Sequence, residues 1–217
     1  MKFFNTNTFT LLFLCLATVL SAQKGEKVSG YVLLDNGRKV EGLVKVGDIT
    51  DNEVKVTFYN GRTGQKQVYK STEIQGYGYE GFDIDELGNE INDWVHYEAH
   101  KVDYPPKPFG PTTVFMQKEE EGAVTLFVYY IENRSDVKNP YRYNYYLLGE
   151  SGQLEKVERN SFPSVARNVF GDYTALSGRV GKKDFTYRNL DRMVRDYNYW
   201  VVNQHDRTEY RVAMKQN

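Results

Sequence analysis

Ser29-Gly30-Tyr31-Val32-Leu33-Leu34-Asp35-Asn36-Gly37-Arg38-Lys39-Val40-Glu41-Gly42-Leu43-Val44-Lys45-Val46 is the stretch that decides the fold. Two apolar runs flank Asp35-Asn36-Gly37, and an Asn-Gly pair between such runs is the strongest short-range signal for a β-hairpin. The pattern repeats downstream. Val54, Val56 and Phe58 alternate with polar residues, Asn60-Gly61-Arg62-Thr63-Gly64 makes the turn, and Val68-Tyr69 begins the return. Short strands, tight glycine turns and the Gly42 bend within a strand are what a small barrel or curled sheet requires.

Working outward, Asp93 to Val102 reads as a further strand. Pro105, Pro106, Pro108 and Pro111 then exclude a sheet interior, and the reading is a long surface loop, with a linker as the alternative. Thr113 to Gln117, a turn at Glu119-Glu120-Glu121-Gly122 and Val124 to Ile131 follow. The last run is apolar on both faces, which predicts a central strand covered on each side. Tyr141 to Leu148 and Leu154 to Val157 form one more hairpin around Gly149 and Gly152. The period then changes from two to 3.6. Val165, Ala166, Val169 and Phe170 fit a short helix begun near Ser161 and Pro163 and stopped by Gly171. Leu190, Met193, Val194, Tyr197 and Val201 fit a second, with Thr186 as N-cap. The expected class is α+β, an antiparallel β-rich body followed by C-terminal helices packed on it. It is read as one domain over 23–217, with sub-modules 24–103 and 112–205 as the alternative division.

The N-terminus predicts export. Lys2 precedes an apolar run from Phe9 to Leu20, and Leu20-Ser21-Ala22 before Gln23 offers a cleavage site, so 1–22 reads as a signal peptide. The run is shorter than a bilayer span, and no later segment is long enough for one. The reading is a periplasmic or secreted protein. Cys15 is the only cysteine; Leu14 before it is not a lipobox residue, so no lipid anchor is expected. Cleavage leaves 195 of 217 residues with no thiol, removing disulfides, thiolate metal sites and cysteine nucleophiles together. The net charge of −1 becomes −2 with Lys2 gone, a balance that argues against nucleic acid as a partner.

Three segments together carry a resemblance: Gly30 to Leu34 with Val40-Glu41-Gly42, Ile74-Gln75-Gly76-Tyr77-Gly78, and Leu190 to Asn198 ending in Asp196-Tyr197-Asn198. With the Ser21-Ala22-Gln23 junction, the chain resembles a family of uncharacterised exported proteins of Bacteroidota. Members often carry a cysteine near the position of Tyr173, which this chain lacks. The resemblance implies an envelope or secreted location and no established activity, so no functional residue is carried over from it. The N-terminal part is also weakly similar to SH3-like and Sm-like small barrels.

Several motifs imitate chemistry without its context. Gly76-Tyr77-Gly78-Tyr79-Glu80-Gly81 matches the dinucleotide fingerprint by letter, but Phe82-Asp83-Ile84-Asp85 continues as a strand where a helix must begin, so it reads as a strand edge or bulge. Gly178 to Lys183 lacks the upstream glycine and terminal hydroxyl of a P-loop. His96-Tyr97-Glu98-Ala99-His100 has its Glu misplaced for a zincin, and on a strand its histidines lie about 13 Å apart, too far to share a zinc. Asp83, Asp85, Glu86, Gly88, Asn89, Glu90 and Asp93 imitate a calcium loop, but Leu87 and Trp94 stand at ligand positions; a solvated hairpin turn is the simpler reading. Gly149-Glu150-Ser151-Gly152 misses nucleophile-elbow spacing by one residue. No cofactor or metal is expected.

The pattern with functional content is Tyr141-Arg142-Tyr143-Asn144-Tyr145-Tyr146, with Tyr129 and Tyr130 nearby. On a strand Tyr141, Tyr143 and Tyr145 share one face. Beside Arg142 these rings form a stacking platform for a glycan, a peptide or another envelope protein; the competing reading is that hairpin tyrosines bury their rings and wet their hydroxyls. The leading expectation is a non-enzymatic binding or structural module of the bacterial envelope. The alternative is a hydrolase of envelope or nutrient polymers using carboxylates of the Asp83 to Asp93 region.

Overall fold

The computed structural model describes residues 25–47, 54–84, 90–102, 113–133, 135–136 and 138–215. The expected signal peptide over 1–22 with Cys15, the Pro105 to Pro111 stretch and the turn expected at Leu87-Gly88-Asn89 lie outside these residues, as do the side chains of the acidic cluster from Asp83 to Glu90. Ten strands come first: β1 (Lys27–Leu34), β2 (Lys39–Lys45), β3 (Lys55–Asn60), β4 (Lys66–Lys70), β5 (Ile74–Ile84), β6 (Glu90–Lys101), β7 (Thr113–Glu120), β8 (Thr125–Glu132), β9 (Tyr141–Leu148) and β10 (Leu154–Val157). Helices α1 (Phe162–Val169) and α2 (Thr174–Ser177), a 3-10 turn (Tyr187–Asn189) and α3 (Leu190–Lys215) follow. The fold is the expected α+β class. Its sheet is antiparallel and open, in the order β10-β9-β8-β7-β6-β5-β1-β2-β3-β4, so it is not a closed barrel.

The chain divides into two compact units, 1–95 with 99–115, and 96–98 with 116–217. In the first, the decisive stretch forms β1 and β2 with Tyr31 opposite Glu41. Its turn is closed by Gly37 N donating to Leu34 O at 2.8 Å and Arg38 N donating to Asn36 Oδ1 at 3.0 Å. In the second hairpin Asn60 Oδ1 accepts from both Arg62 N and Thr63 N, so an asparagine side chain substitutes for a strand partner at each turn. The inward row buries Val32, Val44, Val56 and Phe58 completely, with Ile74 and Tyr77 nearly so. Gly42 sits in this row, where a Cβ would lie 2.2 Å from Tyr59 O and 2.6 Å from the Phe58 ring; its bareness permits the close approach.

In the second unit the helices cover one face of β8 and β9. Leu126, Val128, Tyr145, Leu147 and Val157 share a core with Phe162, Ala166, Phe170, Leu190, Met193, Val194 and Tyr197. The helical spacing of Leu190, Met193, Val194 and Tyr197 therefore does face the strand containing Leu126 and Val128, as their period requires. On the alternate face of β8, Phe127 and Tyr129 are also buried, which explains the unbroken apolar run. Two expectations need correction. The turn expected at Glu119 to Gly122 starts later, because β7 runs on through a bulge between Lys118 and Glu120 and pairs Glu120 with Leu126. This places Glu120 where Arg195 Nε donates to it at 2.7 Å and Arg195 Nη2 also bonds it. Thr186 makes no side-chain cap; Asn189 N instead donates to Thr186 O at 3.0 Å and a 3-10 turn leads into α3.

Asn198 explains the end of the Asp196-Tyr197-Asn198 motif. Its Oδ1 accepts from Val124 N at 2.9 Å and its Nδ2 donates to Val124 O at 2.8 Å, so one buried amide on α3 satisfies both backbone groups at the β7–β8 turn. Gly122 leaves the space: a Cβ there would stand 2.5 Å from Asn198 Cγ.

Candidate functional site

Strand β9 pairs with β8 along its whole length, Tyr141 opposite Glu132, Tyr143 opposite Tyr130 and Tyr145 opposite Val128. On its other side β10 pairs only with Tyr145 to Leu148. Among the described residues the edge of β9 from Tyr141 to Asn144 therefore carries no further strand. A groove of about 890 Å³ runs there, lined among others by Tyr141, Arg142, Tyr143, Arg159, Tyr187 and Arg188.

The three tyrosines share a face as their spacing requires, but they do not form an open platform. Tyr187, from the 3-10 turn, stacks on Tyr143 with ring centroids 6.3 Å apart and planes 9° apart, and lies 5.1 Å from Tyr145. Tyr145 is consequently only 8% exposed and belongs to the core, with its hydroxyl pushed well above its ordinary pKa, chiefly by burial and next by Tyr143. Tyr143 is half-buried, 5.1 Å from Tyr145 and 6.5 Å from Tyr130. Tyr141 is 37% exposed and Arg142, on the opposite face of the strand, is exposed. The usable part of the predicted set is thus Tyr141, Arg142 and the open side of Tyr143.

Three residues that sequence reading passed over complete the groove: Arg159 after β10, and Tyr187 and Arg188 before α3. The guanidinium of Arg159 stands 5.5 Å from the Tyr187 ring centroid. No local pattern marks these three, since they meet β9 only through the packing of the helical segment. The groove's acids are largely engaged. Asp136 accepts from Lys138 N, Asn139 N and Asn139 Nδ2, and these bonds, the Asn139 side chain first, hold its carboxyl below the usual range. Glu158 pairs with Lys156 at 3.0 Å. Among the described residues Arg142, Arg159 and Arg188 have no carboxylate partner within ion-pair distance, so the groove presents three forked cations beside tyrosine rings.

A smaller hollow of about 290 Å³ shares Tyr143 and Arg188 with it and is lined by Glu119 and Asp191. Glu119 is exposed as a whole residue, yet loss of hydration around its carboxyl in this hollow, then Asp191 and Glu120, raises that carboxyl above the ordinary range.

The remaining motifs take structural places. Gly76 to Gly81 lies within β5, which pairs with β1 and continues as a strand to Ile84; Gly78 stands opposite Tyr31, and a Cβ there would be 2.7 Å from the Tyr31 ring. A register shift at Leu33/Leu34 adjoins Gly76, so this is a strand beside a bulge. His96 and His100 lie on β6, where strand geometry holds them apart. Gly178 to Lys183 is a turn after α2, pinned by buried Val180 and by the Arg179 guanidinium 3.8 Å over Phe185. Glu150-Ser151 lies in the β9–β10 turn, with Gly152 N donating to Gly149 O at 3.0 Å. Among the described residues no group of three or more His, Cys, Asp or Glu is arranged to hold a metal, and no helix is long and apolar enough to cross a membrane. No protein-family model, curated protein or solved structure matches the chain.

Proposed function

We propose that the protein is an exported, non-enzymatic binding module of the bacterial envelope, and that its groove takes an extended acidic peptide segment alongside β9. The observation that carries this reading is the stretch of β9 from Arg142 to Asn144, along which β10 no longer pairs, flanked by Tyr141, Tyr143, Arg142, Arg159 and Arg188. An extended chain gains affinity from backbone hydrogen bonds to such an edge and specificity from alternate side chains, which carboxylates facing arginines and apolar groups facing tyrosines supply. Export rests on the composition of residues 1–22 and on the resemblance to exported proteins.

The test uses the full mature chain and fluorescent acidic peptides of about eight residues, a length comparable to β9. Binding should fall about fivefold to tenfold in Arg142→Ser and Tyr143→Ala, corresponding to about 1 kcal/mol or slightly more. A peptide N-methylated at alternate amides should not bind. Equal binding of the N-methylated peptide contradicts strand addition, and turnover of any peptide contradicts the non-enzymatic reading.

A further inference from the structure

The outer face of β1 to β4, in the first unit, carries a charge pattern that folding alone does not explain. Registers place Lys27, Lys39, Lys45, Lys55, Lys66 and Lys70 on this face, all exposed, with Glu41 the one carboxylate these four strands contribute to it. Two lysine pairs stand directly opposite each other across strands: Lys27 with Lys45, and Lys55 with Lys70. Like charges in directly opposed positions destabilise a sheet. Among the described residues the ion pairs involve Lys118, Lys156 and Arg195, and none involves Lys45, Lys55, Lys66 or Lys70. Protection of a sheet edge accounts for lysines on β4, which ends the strand order, but not for Lys45, which is paired with Lys27 on one side and Thr57 on the other. The chain as a whole is slightly acidic, so this face is a local concentration and not a reflection of bulk charge.

Aromatic rings lie among the lysines. Lys27 Nζ sits 3.8 Å from the Tyr59 ring centroid, Lys39 Nζ sits 4.1 Å from that of Tyr31, and Tyr31 and Trp94 rings are 5.7 Å apart. Trp94 is 41% exposed. A ligand bearing negative charge draws these ammonium groups outward and uncovers flat ring faces beneath them.

We infer that this face binds a linear acidic polysaccharide, with the lysines meeting its carboxylates or sulfates and Tyr31, Tyr59 and Trp94 stacking against its sugar rings. Neighbouring strands are about 4.8 Å apart, a step comparable with one sugar unit, so a chain lying across β1 to β4 meets successive cations. A lipid surface is a poorer fit, because the exposed apolar residues Leu43, Val68 and Trp94 stand singly on three different strands and form no continuous patch to bury. A nucleic acid is a poorer fit because the strand face holds lysines alone, without the arginine forks that match phosphates.

Titration of the full mature chain with oligogalacturonate of about ten sugars tests this, with the same oligomer fully methyl-esterified as the neutral control, and with phosphatidylglycerol vesicles and a single-stranded oligonucleotide as competing arms. The acid oligomer should bind and change Trp94 fluorescence, with affinity falling as salt rises. Lys45→Gln/Lys70→Gln should weaken it at least tenfold while remaining folded, since each substitution removes one like-charge pair; Lys45→Arg/Lys70→Arg should retain it. Lys183→Gln, an exposed lysine of the second unit, should leave it unchanged. Equal binding of the methyl ester, unchanged binding in the double glutamine variant, or binding confined to vesicles or oligonucleotide overturns the inference. The β9 substitutions Arg142→Ser and Tyr143→Ala should not affect this titration, so its failure is separate from failure of peptide binding.

Discussion

Asn198 is polar and nearly buried, a combination that is costly unless every hydrogen-bonding atom is used. Its two bonds to Val124 use the amide fully on that side and close the β7–β8 turn against α3. Asn198→Ala leaves the Val124 amide and carbonyl without this partner, so urea unfolding should show a loss of about 1–3 kcal/mol. Gly122→Ala should cost stability through the same contact, because its methyl enters the space of the Asn198 amide, and the two losses should not add in the double variant. Additive losses would show that the turn and the amide act separately.

A second residue-scale expectation concerns alkaline pH. Tyr197 Oη donates to Asp172 Oδ2 at 3.1 Å, and burial first, then this bond, pushes its pKa from 10.0 up to about 12. Tyr146 rises to about 12 as well, mainly through burial. In both cases the folded state holds the proton more tightly than the unfolded chain. The stability they contribute is therefore complete below pH 10 and is lost as pH rises through about 12. Tyr197→Phe should make denaturation less steep between those values, measured as the midpoint in urea at each pH; an unchanged slope would contradict the linkage.

At the scale of elements, α3 is amphipathic in the plain sense that Leu190, Met193 and Val194 are 0–1% exposed while Arg192 and Arg195 are on the surface. Leu190→Ala should cost about 2–5 kcal/mol, and Arg192→Ala less than about 0.5 kcal/mol. Equal thermal shifts would place the helix face wrongly. This face was readable from sequence because a period of 3.6 needs no distant partner to be seen. The hairpins at Asn36-Gly37 and Asn60 to Gly64 were readable for the same reason, as their turns close through side chains two or three residues away. What local pattern could not show is what lands on an element from far along the chain. Tyr187 covering Tyr143 and Tyr145 turned an expected platform into a groove, and the β7 bulge that carries the strand past its expected turn brings Glu120 to Arg195, far along the chain. The shared face of Tyr141, Tyr143 and Tyr145 was legible; its cover was not, because it depends on tertiary packing over more than forty residues of intervening chain.

At the scale of the whole chain, the leader reading and the single cysteine make one linked expectation. Cys15 lies within the apolar run, so every molecule cleaved after Ala22 loses its thiol together with its leader. The mature protein then relies on ordinary cores, such as that of Val32, Val44 and Phe58 and that of Leu126, Leu190 and Met193, with no crosslink to restrain its unfolded state. Material recovered from outside the cytoplasm should therefore begin at Gln23 by N-terminal sequencing, show no reaction with a thiol reagent after denaturation, and unfold at the same urea concentration with and without reductant. A protein retaining residues 1–22 reacts with one thiol per chain, and that result, in exported material, would refute cleavage at this junction. The reductant arm separates the two steps of the argument, since a midpoint that moves with reductant requires a cysteine-dependent crosslink and hence an uncleaved leader.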